Sequence, residues 1–115
     1  MNLVRRDIAD VTVLDLGGKL TNTEGAGRLK ETVTELVASG RKYIVLNLSK
    51  LNYMDSAGLG EMVACYTTAS KAGGAVKLSH TTAKIRDLLT ITKLLTVFDA
   101  FDTETAAVSS FGRAV

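Results

Sequence analysis

One short stretch of the chain carries residues that could receive a phosphate. It reads Asp55-Ser56-Ala57-Gly58-Leu59-Gly60 and follows an apolar run that predicts a buried strand. A hydroxyl in the first turn of a helix lies beside free backbone N–H groups and the positive end of the helix dipole, and both favour an anion. A phosphate on Ser56 would therefore find donors already in place, the N–H groups of Gly58 and Leu59.

A purely structural role explains the same residues equally well at the local level. Aspartate and serine are both preferred N-cap residues, so Asp55 and Ser56 could simply cap the helix. Close packing of that helix on a sheet would account for Gly58 and Gly60. Local chemistry alone therefore leaves both interpretations open.

Two further functions, serine hydrolysis and phosphate reception, would need residues that the sequence lacks at the required positions. The nucleophile elbow of a serine hydrolase has glycine two residues before the serine, where this chain has Met54, and its only histidine is His80. A phosphate-receiver domain needs an acidic pair after its first strand to hold Mg²⁺, whereas Asp7 and Asp10 fall in an opening hairpin. We expect neither catalysis nor a metal site.

The elements that position Ser56 follow from hydrophobic periodicity. Strands are predicted at residues 3–8, 11–16, 43–48 and 76–80, with His80 on the same face as Val76 and Leu78, and a short edge strand at 97–98. The first two form an antiparallel hairpin across Ala9-Asp10. The third is apolar enough to be covered on both faces of a sheet.

Four helices are predicted between and after these strands. The first starts at Thr23 as N-cap, ends at Ser39-Gly40, and buries Ala26, Leu29, Val33, Leu36 and Val37. Gly25 and Gly27 weaken its start by about 1 kcal/mol each relative to alanine, which indicates a late start or a close backbone approach. The others cover residues 56–72, 82–89 and 103–111, the second with a stripe of Leu59, Met62, Val63 and Tyr66.

This order predicts one α/β domain over residues 1–115. Strand–helix–strand units require parallel neighbours with right-handed crossovers, so the sheet is mixed: an opening antiparallel hairpin, then parallel strands, four or five in all, with about four helices. Ser56 then lies at the carboxyl end of a buried strand, where ligands collect in open α/β sheets.

Composition excludes several classes of function. The chain has 115 residues, 46% hydrophobic and 23% charged, with a net charge of +2 and scattered basic residues, so we expect no direct nucleic-acid binding. No apolar run is long enough to cross a membrane, and the N-terminus lacks the hydrophobic segment of a signal peptide. The single cysteine, Cys65, excludes an internal disulfide and is expected to be a buried structural thiol. We expect a cytoplasmic domain without membrane insertion or cofactor.

Several segments together resemble the STAS family, the domain shared by sulfate transporters and anti-sigma factor antagonists. The apolar strand at 44–48, the linker Leu51-Asn52-Tyr53-Met54 and the Asp55 to Gly60 motif carry the resemblance. Upstream, Gly18-Lys19-Leu20 resembles the turn before that family's first helix. Downstream, Gly73-Gly74 and Ile85-Arg86-Asp87-Leu88-Leu89 also fit.

The resemblance implies a phosphorylation switch. In anti-sigma factor antagonists, the serine after the aspartate is phosphorylated by a partner kinase that is also the anti-sigma factor, and Ser56 matches that serine. The unmodified protein would bind the anti-sigma serine kinase and thereby free a sigma factor. The phosphorylated form would release the kinase, and a serine phosphatase would restore the unmodified form. Residues expected to bind the partner or shape the site are Met54, Asp55, Ala57, Gly58, Leu59, Gly60 and Thr21.

The sequence departs from the family pattern at two places. Ala57 replaces a frequent Ser or Thr, which leaves Ser56 as the only local hydroxyl, and Lys19 and Thr21 stand where the family commonly has acidic residues. STAS-like domains also serve as scaffold subunits of signalling assemblies and as cytoplasmic partners of membrane transporters, which is the alternative function.

Overall fold

A single mixed sheet forms the centre of the protein in the computed structural model, which describes residues 1–94 and 96–112. Its strands, in their spatial order across the described part of the sheet, are β1 (Asn2–Ile8), β2 (Val11–Leu20), β3 (Tyr43–Met54), β4 (Ala75–Ser79) and β5 (Ala100–Phe101). The β1–β2 pair is antiparallel and every later pair is parallel. The predicted opening hairpin and mixed sheet are confirmed.

Helices cover both faces of this sheet unequally. They are α1 (Arg28–Ala38), α2 (Ser56–Lys71), α3 (Ala83–Ile91) and α4 (Glu104–Ser109). The main core joins α1, α2 and α3 to one face, while α4 packs on the other through a smaller cluster of Val11, Val13, Val45, Ala107 and Val108. The predicted α/β class is confirmed. Within the described residues, no helix is both long and apolar enough to cross a membrane.

Strands β2 and β3 continue well past their predicted ends at residues 16 and 48. Beyond those points they pair with each other from Gly17 and Lys50 to Leu20 and Met54, with two register shifts on the way. The extension is a property of the pair, because each strand supplies the hydrogen-bond partners of the other. Consequently the segments that follow Leu20 and Met54 begin side by side.

The start of α1 differs from the prediction. Thr23 is not its N-cap, and Ala26 is exposed and outside the helix, because α1 begins at Arg28 after Gly27, whose φ is 79°. The late start that the two glycines indicated is confirmed, and Gly25 also shows the close approach, because a Cβ there would lie 2.9 Å from the Cβ of Met1. The end at Ser39-Gly40 is confirmed, with Gly40 at a φ of 92°.

Two predictions near the C-terminal half of the sheet were wrong. The edge strand lies at Ala100–Phe101 and not at 97–98, because Phe98 is needed in the core, where it is only 2% exposed. Strand β4 ends at Ser79, so His80 is not part of its inward face. His80 has a φ of 54°, which turns the chain out of the strand.

Candidate functional site

The site forms where the carboxyl ends of β2 and β3 meet. Leu20 and Met54 are register partners, and the N–H of Asp55 donates to the carbonyl oxygen of Leu20 at 3.3 Å. The loop at residues 21–27 therefore starts beside the first turn of α2. As predicted, Ser56 lies at the end of a buried parallel strand and is the first residue of a helix.

Asp55 connects the two segments through its carboxylate. Its Oδ1 accepts from the N–H of Gly58 at 2.9 Å, which is an N-cap, and its Oδ2 accepts from the N–H of Asn22 at 3.4 Å. Asp55 is therefore the N-cap of α2, and the same carboxylate also fixes the loop after β2 to the start of α2.

The predicted phosphate donors were wrong. The N–H of Gly58 is bound by the Asp55 carboxylate, and the N–H of Leu59 donates to the carbonyl oxygen of Asp55 at 3.0 Å. The other first-turn donors are the N–H groups of Ser56 and Ala57, for which residues 1–94 and 96–112 provide no acceptor. Any anion at this helix end would meet those two groups.

The Ser56 hydroxyl is accessible to a modifying enzyme. Ser56, Ala57 and Gly60 are exposed, and in the part of the chain that the structure describes the Ser56 hydroxyl makes no hydrogen bond. Asp55 does the capping, so Ser56 is not needed for it. The helix cap and the exposed hydroxyl thus belong to two different residues.

Gly58 allows α2 to start this close to the sheet. A Cβ on Gly58 would collide with the carbonyl group of Leu20, at 2.9 Å from its carbon atom, and with the Cγ of Met54, also at 2.9 Å. A Cβ on Gly60 would meet nothing within 4 Å. Close packing therefore explains the first glycine and not the second, which lies on the open side of the helix.

Met54 and Leu59 lie in the core beneath the start of α2. They are 7% and 4% exposed and belong to the main core, so they can shape the site but present little side-chain surface to a partner. The neighbouring Tyr53 is instead 51% exposed. Sequence reasoning missed Tyr53 because its segment reads as a linker. In the structure β3 continues to Met54, and neighbouring residues of a strand point to opposite faces, so the buried Met54 leaves Tyr53 on the open face.

Besides Asp55, the side chains of Thr21 and Glu61 hold the loop at 21–27. The Thr21 hydroxyl oxygen accepts from the N–H groups of Thr23 at 3.3 Å and Glu24 at 3.0 Å, so Thr21 shapes a turn. Glu61, on α2, accepts from the N–H groups of Gly27 at 2.7 Å and Lys30 at 3.0 Å. Sequence reasoning missed Glu61 because its contacts are with a different helix.

Lys19 and Cys65 have different surroundings in the fold. Lys19 is exposed near the end of β2, opposite Tyr53 in the register. Cys65 is fully buried, and burial raises the pKa of its thiol to about 12, as expected for a structural cysteine. Across residues 1–94 and 96–112, no group of three or more His, Cys, Asp or Glu side chains is arranged to hold a metal ion.

Fold and motif together define the family. The family model of the STAS domain matches residues 2–107, and the chain belongs to the STAS domain family. The anti-sigma-B factor antagonist of Bacillus subtilis strain 168 is 29% identical over 96 residues, covering 84% of this chain and 85% of that protein.

Solved structures share this architecture. The crystal structure of the Thermotoga maritima protein TM1081 superposes with a TM-score of 0.89 at 27% identity, covering 96% of this chain and 95% of that one. The Bacillus cell fate determinant SpoIIAA in its phosphorylated form has a TM-score of 0.76 at 18% identity, covering 96% and 99%. At that identity SpoIIAA shows the shared fold only.

Proposed function

We propose that this protein is an anti-sigma factor antagonist, a binding module rather than an enzyme, switched by phosphorylation of Ser56. The observation that carries the proposal is the exposed, unbonded Ser56 hydroxyl at the first residue of α2, beside a separate capping aspartate. A relative that is 29% identical over most of both chains is an anti-sigma-B factor antagonist, which supports the same function.

In the unmodified state, the surface around Ser56 binds an anti-sigma serine kinase. Ala57 and Gly60 leave this surface without protruding side chains, because neither has a side chain larger than a methyl group. The loop at 21–27, held by Asp55 and Glu61, forms the adjoining part of the surface. Binding removes the kinase from its sigma factor, which is thereby freed.

Phosphorylation changes the charge of this surface more than its shape. A phosphate on Ser56 adds up to about two negative charges beside the Asp55 carboxylate. The N–H groups of Ser56 and Ala57 and the helix dipole offset part of that repulsion, typically by about 0.3–1 kcal/mol. The cap to Gly58 is independent of the Ser56 hydroxyl, so the helix has no reason to unfold. The kinase must then desolvate a dianion, and it dissociates until a serine phosphatase removes the phosphate.

Two other hydroxyls on α2 are less suitable acceptors. Those of Thr67 and Thr68 donate to the carbonyl oxygens of Val63 at 3.1 Å and Ala64 at 3.0 Å. A hydroxyl bound to its own helix must first break that bond before it can attack a phosphoryl group.

The experiment that tests the acceptor is phosphorylation by the anti-sigma kinase with ATP, followed by peptide mass mapping. We expect one phosphate, on Ser56, and none on the Ser56→Ala variant. Phosphate on Thr67, Thr68 or Ser70 with Ser56 unmodified would overturn the assignment. A chain that is neither bound nor modified by the kinase would instead favour a scaffold or a transporter partner.

A further inference from the structure

Strand β1 lies at one edge of the sheet and, in the part of the chain that the structure describes, has a neighbouring strand on one side only. A two-residue turn joins it to β2, so the flanking residues Ile8 and Val11 form a hydrogen-bonded pair. Alternation along β1 then directs the backbone N–H and C=O groups of Leu3, Arg5 and Asp7 away from β2. These groups form an open edge to which another strand can be added.

The side chains along this edge carry charges of both signs. Arg5 and Asp7 lie on one face of β1, where the Arg5 guanidinium donates to the Asp7 carboxylate at 3.0 Å and 3.1 Å. Their side chains are 48% and 44% exposed. Val4 and Ile8 lie on the opposite face, and Val4 is 56% exposed. The open edge therefore presents a pair of opposite charges on one face and an exposed apolar residue on the other.

Charge selects one register for a second copy of this strand. Hydrogen bonding across the open edge requires the outward-directed residues of the two strands to face each other, so the allowed antiparallel registers are two residues apart. With Arg6 on the two-fold axis, Arg5 of each copy faces Asp7 of the other. The two neighbouring registers instead place Arg5 against Arg5 or Asp7 against Asp7. Because like charges directly opposite one another destabilise a strand pair, the register centred on Arg6 is favoured.

The same register brings apolar side chains together on the other face of the sheet. Val4 of each copy faces Ile8 of the other, on either side of Arg6. The two Arg6 guanidinium groups approach each other on the axis, but each is already paired with Asp15 and Glu104 of its own chain, which offsets their repulsion. A two-fold contact repeats each favourable pair, so one strand supplies both halves of the interface.

We propose that the open edge of β1 pairs antiparallel with β1 of a second copy of this chain, with Arg6 on the two-fold axis. About four backbone hydrogen bonds join the copies across the two Arg5–Asp7 pairs, so the dimer is small and reversible, forming at about tens to hundreds of micromolar. Arg6 pairs with Val13 in the first half of β2, whereas Ser56 follows the other end of the β2–β3 pair. The dimer therefore leaves Ser56 of both copies accessible, and the inference does not depend on the proposed function.

The test is sedimentation velocity of the full chain and its charge variants between about 10 µM and about 1 mM. Arg5→Asp and Asp7→Arg each place like charges opposite one another, and each should weaken self-association by at least about tenfold. An equimolar mixture of the two variants should associate about as strongly as the unmodified chain, because one copy then supplies two carboxylates and the other two guanidinium groups.

Asp102→Arg is the matched control for Asp7→Arg. It makes the same change in net charge at a side chain that is 96% exposed, directly after β5 at the other edge of the sheet. It should change self-association by less than about twofold. A loss as large as that of Asp7→Arg would show that net charge, and not pairing of β1, controls association.

Three other results would also overturn the proposal. If the unmodified chain stays monomeric up to about 1 mM, β1 does not pair with a second copy, and its edge is open to a strand of another protein. If both single variants associate like the unmodified chain, the copies meet through a different surface. If the variants dissociate but their mixture does not associate, the register centred on Arg6 is wrong. Circular dichroism of each variant confirms that the fold is retained.

Discussion

Asp55 and Ser56 are neighbours with separate tasks. The Asp55 carboxylate accepts from the N–H groups of Gly58 and Asn22, so it holds both the start of α2 and the loop after β2. Ser56 makes no side-chain hydrogen bond in the described residues and is exposed. This separation means that variants of Asp55 and of Ser56 have different consequences.

Replacing Asp55 should destabilise the protein, because α2 loses its N-cap. We expect Asp55→Ala to lower the free energy of unfolding by about 1 kcal/mol, measured by urea denaturation. Asp55→Asn keeps a capping oxygen and should lose much less. Ser56→Ala is the matched control and should be close to neutral; equal losses in all three variants would contradict the assigned roles.

Gly58 and Gly60 offer a second matched pair. Gly58→Ala forces a methyl group against the Leu20 carbonyl and the Met54 side chain, and should destabilise the protein by about 2 kcal/mol. Gly60→Ala fills open space in a helix and should stabilise by up to about 1 kcal/mol. Thermal unfolding of the two variants measures both effects. Two changes of the same sign would show that α2 does not approach the sheet as described.

A polar network joins helix α4 to the sheet, in addition to the apolar cluster that contains Ala107 and Val108. The Arg6 guanidinium binds both Asp15, with Nε to Oδ2 at 2.6 Å, and Glu104, and the Asn47 side chain donates to Glu104 at 3.0 Å. These contacts join β1, β2 and β3 to the first residue of a helix only six residues long. The Arg6 hydrogen bond and, secondarily, Asn47 hold the pKa of Glu104 below its ordinary value.

That lowered pKa predicts how acid affects the protein. An ionised Glu104 contributes stability above its ordinary pKa of about 4.5, and the contribution disappears as pH falls through the lower value of the folded state. We expect Glu104→Gln to reduce the free energy of unfolding by about 1 kcal/mol at pH 7. The difference from the unmodified protein should shrink below about pH 4.5.

Denaturation by urea at a series of pH values measures this. Glu35→Gln is the control, because Glu35 is exposed on α1 and has no ion-pair partner in the described parts of the chain. It should show little loss at any pH. A Glu104→Gln loss that persists unchanged into acid would show that the carboxylate charge is not what attaches α4.

The elements that the sequence predicted well are those whose signals are local. The β1–β2 hairpin, the start of α2 and the glycine end of α1 each depend on residues within a few positions. The glycines indicated that α1 starts late, but the start at Arg28 could not be predicted, because backbone N–H groups there donate to Glu61 on another helix. The extension of β2 and β3 and the position of β5 depend on pairing between distant segments, which no local pattern reports.

The position of Ser56 could be predicted for the same reason, since it needed only an apolar strand followed by a helix start. The surroundings of Ser56 could not. The exposed Tyr53, the buried Met54 and the occupied N–H groups of Gly58 and Leu59 all follow from how β3 continues and how closely α2 packs. The site was thus placed by sequence, and its surface was determined by tertiary packing.

Packing of the whole domain also controls its one thiol. Cys65 is fully buried and burial raises the pKa of its thiol to about 12 from an ordinary value of 9.0. We expect the native protein to react with Ellman's reagent at pH 8 at least about a hundredfold more slowly than the chain unfolded in urea. Comparable rates would mean that α2 opens readily or that Cys65 is not in the core.

The whole fold makes the proposed switch a matter of binding and not of refolding. Ser56 is on the surface, its neighbours Met54 and Leu59 are in the core, and the cap at Asp55 does not involve the hydroxyl. A phosphate on Ser56 should leave the circular dichroism spectrum unchanged. Its effect should appear only when the partner is present.

The most direct measurement is therefore a titration of the anti-sigma factor with three forms of the chain: unmodified, phosphorylated on Ser56, and Ser56→Ala. We predict that the phosphorylated form binds at least about tenfold more weakly, and that Ser56→Ala binds like the unmodified protein. Circular dichroism is recorded on all three forms. Equal affinity of the phosphorylated and unmodified forms, or unfolding of the phosphorylated form, would contradict a switch that acts through charge at the start of α2.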